Sequence, residues 1–234
     1  MWFMSIRECN CFRNVLRAVA AAFPLLAAVS LFAQQPSVPR EAIEWTDVWM
    51  PHTNEQNLPR VLLIGDSITR AYYSGVEEQL KGKAWVARIA TSKAIGDPAL
   101  LAELAVFLGE AKFDVVHVNI GMHGWGFTED EYRKGLPALL RTIRDGAPGA
   151  RVIWAQTTPV RADREKGATN ARIEERNRLA RAFFTGEGVP VDDLHALMKP
   201  HADLHSDDVH FSKEGSALLS AKVAQAIEPL LPHR

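Results

Sequence analysis

Residues 61–69 read Val-Leu-Leu-Ile-Gly-Asp-Ser-Ile-Thr. Four consecutive apolar residues are typical of a buried strand, and the glycine after them lets the backbone bend into a helix. Ser67 then lies at a strand-to-helix turn, where its hydroxyl points to solvent. This position is typical of a catalytic nucleophile, and it is equally typical of a serine that only caps the following helix.

Short apolar runs recur along the chain after this segment, and segments with helical periodicity separate them. The five runs are 61–64, 85–90, 115–120, 152–155 and 189–191. Helix starts are indicated by Asp97 before Pro98 and by Ser212. Because right-handed crossovers join parallel strands, this alternation predicts an α/β fold, a five-stranded parallel sheet with helices on both faces. Ligands are expected beyond the carboxyl ends of the strands.

One of the predicted helices has an uncertain start in the sequence. Thr128 and Glu131 form a capping box, whereas Gly135 and Pro137 inside the pattern predict a kink or a later start. The residues expected on its buried face are Tyr132, Leu136, Leu139, Leu140 and Ile143.

The composition is typical of one soluble globular domain. The chain has 234 residues, of which 47% are hydrophobic and 24% are charged, and its formal net charge is −1. A chain with this balance lacks the excess of basic residues that neutralises a phosphate backbone, so we expect no nucleic-acid partner.

Residues 1–33 have the layout of a signal peptide. Arginines precede an uncharged apolar run over 18–33, which is shorter than a spanning helix and contains a proline. Cleavage after Ser30 or Ala33 is therefore favoured over a retained anchor. The sequence predicts an exported protein, periplasmic or extracellular, with no stable membrane insertion after cleavage. Both cysteines, Cys9 and Cys11, would leave with the peptide.

Residues 34–59 contain four prolines and two tryptophans. This composition suits an extended N-terminal arm whose aromatic side chains dock on the domain, and it suits a plain linker equally well. The domain itself is expected over 60–234.

A serine nucleophile needs a base and a carboxylate that orients the base. The segment Asp207-Asp208-Val209-His210 supplies both in a loop just before the last helix. Asp207 has the three-residue separation that lets a carboxylate and an imidazole converge from one turn. Asp208 is the alternative, either a solvated neighbour or a partial substitute.

With these residues the chain resembles the SGNH/GDSL hydrolase family over about residues 58–230. Three sequence blocks carry the resemblance: Gly65-Asp66-Ser67-Ile68-Thr69, Ile95-Gly96-Asp97, and the pair Asp207 and His210. The resemblance implies a three-layer α/β/α sandwich of flavodoxin-like topology and ester hydrolysis. It implies Ser67 as nucleophile, His210 as general base and Asp207 as the orienting carboxylate. The amides of Ser67 and Gly96 would form part of the oxyanion hole.

The third block of the family departs from its usual Gly-x-Asn-Asp and reads Gly121-Met122-His123-Gly124. His123 thus occupies the place of the oxyanion asparagine. Residues 119–124 of this chain are similar to the sequence Asn-x-Gly-Leu-His-Asp, which a subgroup of SGNH-like proteins has at this block. A neutral imidazole donates one N–H if its neighbours fix the tautomer, so we expect His123 to be the third donor. The alternative is a histidine that supports the site or contacts substrate, with Asn119 or backbone amides completing the hole.

Several other residues near these blocks are candidate substrate contacts. Trp125 and Phe127 could form a platform for a sugar ring or a wall for an acyl chain, or could anchor their loop in the core. The remaining candidates are Asp66, Asn119 and Thr158.

The residues and the resemblance together predict a two-step serine esterase that needs no metal or cofactor. Export, a mildly acidic surface and the lack of long apolar lids favour a small acyl group, such as acetyl, on a carbohydrate. The substrate would be a small-molecule or glycan ester. Alternatives are a lipid or thioester hydrolase and a non-catalytic carbohydrate-binding protein of the same fold. The oligomeric state is not fixed by the sequence.

Two rival functions rest on weaker patterns. Histidine and aspartate residues crowd the segment 195–210, a plausible set of metal ligands, but their spacing fits no zinc motif. The glycines at 121, 124 and 126 lack the order that dinucleotide binding requires.

Overall fold

The structure is a computed structural model that describes residues 38–232. The predicted signal peptide lies outside the described residues. From Pro39 onward the described chain forms one compact unit. Across residues 38–232, no helix is both long enough and apolar enough to cross a membrane.

A six-stranded sheet with helices on both faces organises this unit. Its strands are β1 (Thr46–Trp49), β2 (Arg60–Gly65), β3 (Trp85–Thr91), β4 (Val115–Asn119), β5 (Arg151–Ala155) and β6 (Val191–Asp192). Its helices are α1 (Ser67–Gln79), α2 (Pro98–Leu108), α3 (Glu129–Gly146), α4 (Asn170–Gly186), α5 (Leu194–Met198) and α6 (Lys213–Ile227). Short 3-10 turns cover Ala202–Leu204 and Glu228–Leu230.

The strand order is β1-β3-β2-β4-β5-β6, and β2 to β6 are parallel. The three-layer α/β/α architecture is confirmed, whereas the expected count of five strands is wrong. The extra strand, β1, pairs antiparallel with β3 within the segment expected to be an arm. Val48 and Trp49 in β1 are exposed, so this edge strand is held by its backbone and carries no pattern of buried side chains.

The side chains of β2 explain its uninterrupted apolar sequence. Leu62 and Ile64 face one core, which α2 and α3 cover, while Val61 and Leu63 face the other, which α1 and α6 cover. All residues of the strand are buried, as expected for a central parallel strand.

Helix α3 begins at Glu129, and the capping box of Thr128 and Glu131 is present. The predicted late start is therefore wrong, and Pro137 lies inside the helix. Gly135 is needed at a close contact, since a Cβ there would lie 2.7 Å from Ile95 Cγ2. The expected buried face is confirmed in full.

The strand order also determines where a site can form. From β2 the chain crosses to β3 on one side, and β4 then pairs on the other side of β2. The carboxyl ends of β2 and β4 therefore border a topological switch point, where open α/β sheets bind ligands. Ser67 follows β2 directly, and the loop 120–128 follows β4.

Helix α2 offers a matched test of the core. Leu104→Ala removes a fully buried side chain and should lower the free energy of unfolding by about 2–5 kcal/mol. Val106→Ala, on the same helix but 71% exposed, should change it by no more than about 0.5 kcal/mol. Urea denaturation measures both, and equal losses would contradict the packing described.

Candidate active site

The turn between β2 and α1 leaves the Ser67 hydroxyl free for chemistry. Asp66 is the N-cap of α1, and its Oδ1 accepts the N–H of Ile68 at 2.9 Å. Ser67 is the first residue of the helix, so the alternative in which it serves only as the cap is wrong. A Cβ at Gly65 would lie 1.9 Å from Thr69 Oγ1 and 2.9 Å from the Asn119 carbonyl oxygen, so only glycine fits there.

A continuous chain of hydrogen bonds joins Ser67 to His210 and Asp207. Ser67 Oγ lies 2.8 Å from His210 Nε2, and His210 Nδ1 lies 2.8 Å from Asp207 Oδ2. Asp207 Oδ1 accepts the backbone N–H groups of Val209 and His210, both at 2.7 Å. The separation of three residues thus places the carboxylate and the imidazole in a single turn, as predicted from their spacing.

The surroundings of Asp207 keep its carboxyl ionised. Partial burial alone would raise its pKa, but the N–H donors of His210 and Val209 and the His210 ring together lower that pKa well below its usual range. An ionised carboxylate only accepts hydrogen bonds, so His210 Nδ1 donates to it. In the neutral ring Nε2 is then the acceptor that faces Ser67 Oγ.

Asp208 has a different set of partners. Its Oδ1 lies 3.3 Å from Arg161 Nη2 and its Oδ2 lies 3.5 Å from Arg164 Nη2. The neighbouring carboxylate is therefore engaged with two guanidinium groups, and the contact with His210 belongs to Asp207.

Ser67 and His210 open onto a cavity of about 340 Å³. Its walls also contain Trp45, His123 and Trp125. The Trp125 indole N–H donates to the Met122 carbonyl at 2.7 Å, which fixes its ring. Two tryptophans and the reactive serine thus share one opening.

His123 lies in this cavity, and its tautomer is determined by Glu41. His123 Nδ1 lies 2.8 Å from Glu41 Oε1, while Nε2 is buried and has no hydrogen-bond partner among the described residues. Because a carboxylate only accepts, the Nδ1 proton belongs to this bond. In neutral His123 the Nε2 atom would then be unprotonated and could only accept a hydrogen bond. Only the imidazolium form donates a hydrogen bond from Nε2.

The electrostatic environment favours that imidazolium. Burial is the largest effect on the pKa of His123 and opposes the charged form. The hydrogen bond that His123 donates to Glu41 and the nearby carboxylates of Asp66 and Glu44 outweigh burial, so the pKa of His123 is raised above its ordinary value. The prediction that neutral His123 donates to the oxyanion therefore does not fit this geometry. The imidazolium form of His123, with a proton on Nε2, does fit it.

Gly96 does not line this cavity. Its φ of +111° is a conformation that favours glycine, and a Cβ there would lie 3.0 Å from the Phe127 ring. It borders a separate cleft between α2 and α3. Its role as an oxyanion donor stays a prediction.

Of the other candidate contacts, only Trp125 borders the cavity. Asp66, Asn119, Thr158 and Phe127 are all buried. Phe127 packs on Gly96 and anchors its loop, and burial raises the pKa of Asp66. None of these four residues lines the cavity, and their roles as substrate contacts stay predictions.

Several residues of the site were not found from the sequence. Glu41 and Trp45 come from the N-terminal segment, where Trp45 contacts the His123 ring edge-on at 6.3 Å. Arg70 and Arg164 also line the cavity. Arg70 follows Ser67 by one helical turn, and that spacing could have identified it.

Arg176 lies in a run of charged residues of α4, a sequence pattern that predicts a solvated helix face, and for Arg176 that prediction is wrong. It is 1% exposed, and its guanidinium donates to the carbonyls of His123, Gly124 and Phe127. It also lies over the Trp125 ring at 4.1 Å. A charged helix residue thus holds the loop that carries His123.

Within residues 38–232, no three histidine, cysteine, aspartate or glutamate side chains converge in a way that could hold a metal ion. The crowded segment 195–210 is dispersed by the fold. His205 Nε2 lies 3.2 Å from the Pro159 carbonyl, for instance, while His210 faces Ser67.

Comparison with known proteins assigns the family. The model of the GDSL-like Lipase/Acylhydrolase family matches residues 63–218, well over half of the chain. The chain belongs to this family. As a GDSL-type protein it is a carboxylic ester hydrolase, and Ser67, Asp207 and His210 all fall within the matched segment.

Solved structures share the GDSL fold at low sequence identity. The lipase/acylhydrolase from Enterococcus faecalis has a TM-score of 0.59 at 20% identity, over 75% of this chain and 98% of its own. The acetyl xylan esterase AlAXEase has a TM-score of 0.57 at 20% identity, over 72% and 99%. A carbohydrate esterase family 3 protein from Talaromyces cellulolyticus has a TM-score of 0.59 at 18% identity, over 74% and 97%. No curated protein sequence gives a match.

The contact between Glu41 and His123 yields a test by titration. Glu41→Gln should lower the pKa of His123, because the Glu41 hydrogen bond is the strongest contact that raises it. A raised histidine pKa stabilises the fold below the unfolded value of about 6.5 and loses that effect as pH rises through the folded pKa. The variant should therefore be destabilised most at acid pH.

Histidine NMR titration with urea denaturation at acid and alkaline pH measures both effects. Glu55→Gln, an exposed glutamate of the same N-terminal segment, is the matched control. An unchanged His123 titration in Glu41→Gln would contradict the assigned pairing.

Proposed function

We propose that this GDSL protein hydrolyses esters through a covalent acyl-enzyme on Ser67. The observation that carries the proposal is the unbroken hydrogen-bond chain from Ser67 Oγ through His210 to Asp207, open to a cavity at the serine end. This arrangement supplies a nucleophile, a base and an orienting carboxylate.

In the first step Ser67 Oγ attacks the ester carbonyl while His210 Nε2 accepts its proton. The ionised Asp207 stabilises the imidazolium that forms, and His210 then protonates the departing alcohol. In the second step His210 takes a proton from water, which attacks the acyl carbonyl. His210 then returns this proton to Ser67 Oγ as the bond between Oγ and the acyl carbon breaks and the acid departs. No step uses a metal or a cofactor.

The oxyanion would be stabilised by backbone and side-chain donors. The Ser67 N–H is at the first position of α1, where helix N–H groups have no intrahelical partner. His123 in its imidazolium form adds a charged Nε2–H, and we assign the Gly96 amide as the remaining donor. Removal of one such donor typically costs about 10²- to 10³-fold in rate.

The substrate we propose is a small acyl ester, such as acetyl, on a carbohydrate. The cavity of about 340 Å³ lies at the small end of ligand sites, and Trp45 and Trp125 offer flat walls for a sugar ring. Glu41, Arg70 and Arg164 also border it, and charged walls disfavour a long acyl chain. Two of the similar structures are those of an acetyl xylan esterase and of a carbohydrate esterase.

We also propose export, which rests on the signal-peptide layout of residues 1–33.

The decisive test is hydrolysis of p-nitrophenyl acetate, butyrate and octanoate by the protein purified after expression of the full chain. Ser67→Ala should remove nearly all turnover, and Asp207→Asn should lower kcat by about 10⁴-fold, because the His210 tautomer is lost. The acetate should be preferred over the octanoate, and a chelator should leave the rate unchanged.

Asp208→Asn is the matched control, since this neighbouring carboxylate contacts arginines rather than His210. Its kcat should stay within about threefold of wild type, a change below about 1 kcal/mol. Turnover that survives in Ser67→Ala would contradict the nucleophile, and a preference for octanoate would contradict the small acyl group.

A further inference from the structure

Two arginines border the cavity that contains Ser67. Arg70 is on α1, one turn after Ser67, and Arg164 is in the loop between β5 and α4. Their side chains are 49% and 54% exposed. The two guanidinium groups therefore come from different elements and are both accessible to a ligand in the cavity.

Each of these arginines shares its carboxylate partner with another arginine. Asp47 Oδ1 lies 2.8 Å from Arg88 Nη2, whereas Arg70 Nη1 is 3.8 Å from the other oxygen. One aspartate thus faces two guanidinium groups, and the cluster has an excess positive charge.

The second cluster repeats this arrangement. Asp208 lies 3.3 Å from Arg161 and 3.5 Å from Arg164, so a single carboxylate again faces two guanidinium groups. The local excess of positive charge contrasts with the net charge of −1 for the whole chain.

The carboxylates of the site do not cancel this charge. Glu41 is bonded to His123, and Asp207 binds the His210 nitrogen opposite to the one that faces Ser67. Asp66 is buried as the cap of α1. None of these three carboxylates forms an ion pair with Arg70 or Arg164, whose partners are Asp47 and Asp208.

The arginines are also held in place before any ligand binds. The Arg70 guanidinium lies 4.8 Å from the centroid of the Trp45 ring, a cation–π contact. The backbone N–H of Arg164 donates to the Ala168 carbonyl at 2.9 Å, and the Arg161 N–H donates to the Asp208 carbonyl at 2.8 Å. These bonds fix the Arg164 loop against the His210 loop.

We propose that the natural ester carries a carboxylate on its alcohol portion, bound by Arg70 and Arg164, as in an O-acetylated uronic acid. The inference rests on the proposed function and names its substrate class. The charge belongs to the alcohol because the proposed acyl group is too small to carry it. Guanidinium groups bind carboxylates through paired N–H donors, and Trp45 and Trp125 flank the same space.

The test compares two esters that differ only in charge. One is the methyl glycoside of an O-acetylated glucuronic acid, and the other is the same compound with its carboxylate converted to a carboxamide. The wild-type protein should hydrolyse the acid with a kcat/KM roughly tenfold higher, the scale of a partly exposed hydrogen bond to a charged group. High salt should reduce the preference.

Arg70→Gln and Arg164→Gln should each reduce the ratio of the two kcat/KM values several-fold. Arg178→Gln is the matched control, because Arg178 is an exposed arginine that pairs with Glu175 and does not border the cavity. Its ratio should equal that of wild type. Dividing the two rates within each protein removes differences in folding or active fraction.

The same preparations are assayed with p-nitrophenyl acetate, beside Ser67→Ala. Ser67-dependent hydrolysis without any preference for the acid would overturn this inference and leave the proposed function standing. A preference that survives in both arginine variants would also overturn it. Absence of Ser67-dependent hydrolysis for all three esters would overturn the proposed function, and the inference with it.

Discussion

The turn from β2 to α1 is the constraint on which the active site depends. It converts a strand buried on both faces into a helix within two residues. Gly65 permits the turn because no Cβ fits between Thr69 and the Asn119 carbonyl. Asp66 caps the helix and so leaves the Ser67 hydroxyl to His210. Asp66 thus stabilises the start of the helix, and the hydroxyl of the adjacent Ser67 is available to His210.

The loop after β4 depends on long-range contacts that complete the site. Arg176 on α4 holds its carbonyl oxygens, and Glu41 near the N-terminus holds the His123 ring. Because the Glu41 carboxylate fixes Nδ1 as a donor, the protonation state of His123 decides whether it can stabilise an oxyanion. Glu41 lies before residues 63–218, the segment that the family model matches.

The features predicted correctly have local signals. The apolar runs located the parallel strands, and the capping residues Asp97, Thr128 and Ser212 located the starts of three helices. The catalytic turn needed only three residues of spacing between Asp207 and His210. Each of these signals lies within a few consecutive residues. It reflects local hydrogen bonds or a local pattern of apolar residues, so it can be read without knowing the rest of the fold.

The features that were missed depend on contacts between distant segments. Strand β1 has mostly exposed side chains, and the bond between Glu41 and His123 spans 82 residues. Arg176 resembles its solvated neighbours in sequence, and only the folded loop shows that its charge is buried. Arg70 differs from these missed features because its signal is local. It follows Ser67 by one helical turn, so the sequence alone could have placed it near the site.

The central claim is that the Asp207 and His210 pair activates Ser67. A fluorophosphonate probe tests it directly, since such probes react covalently with an activated serine. The tryptic peptide 61–70, Val-Leu-Leu-Ile-Gly-Asp-Ser-Ile-Thr-Arg, contains Ser67 as its only serine. Mass spectrometry should find one phosphonyl group on Ser67 in the native protein and almost none in His210→Ala. Labelling at another residue, or equal labelling of Ser67 in His210→Ala, would contradict the account.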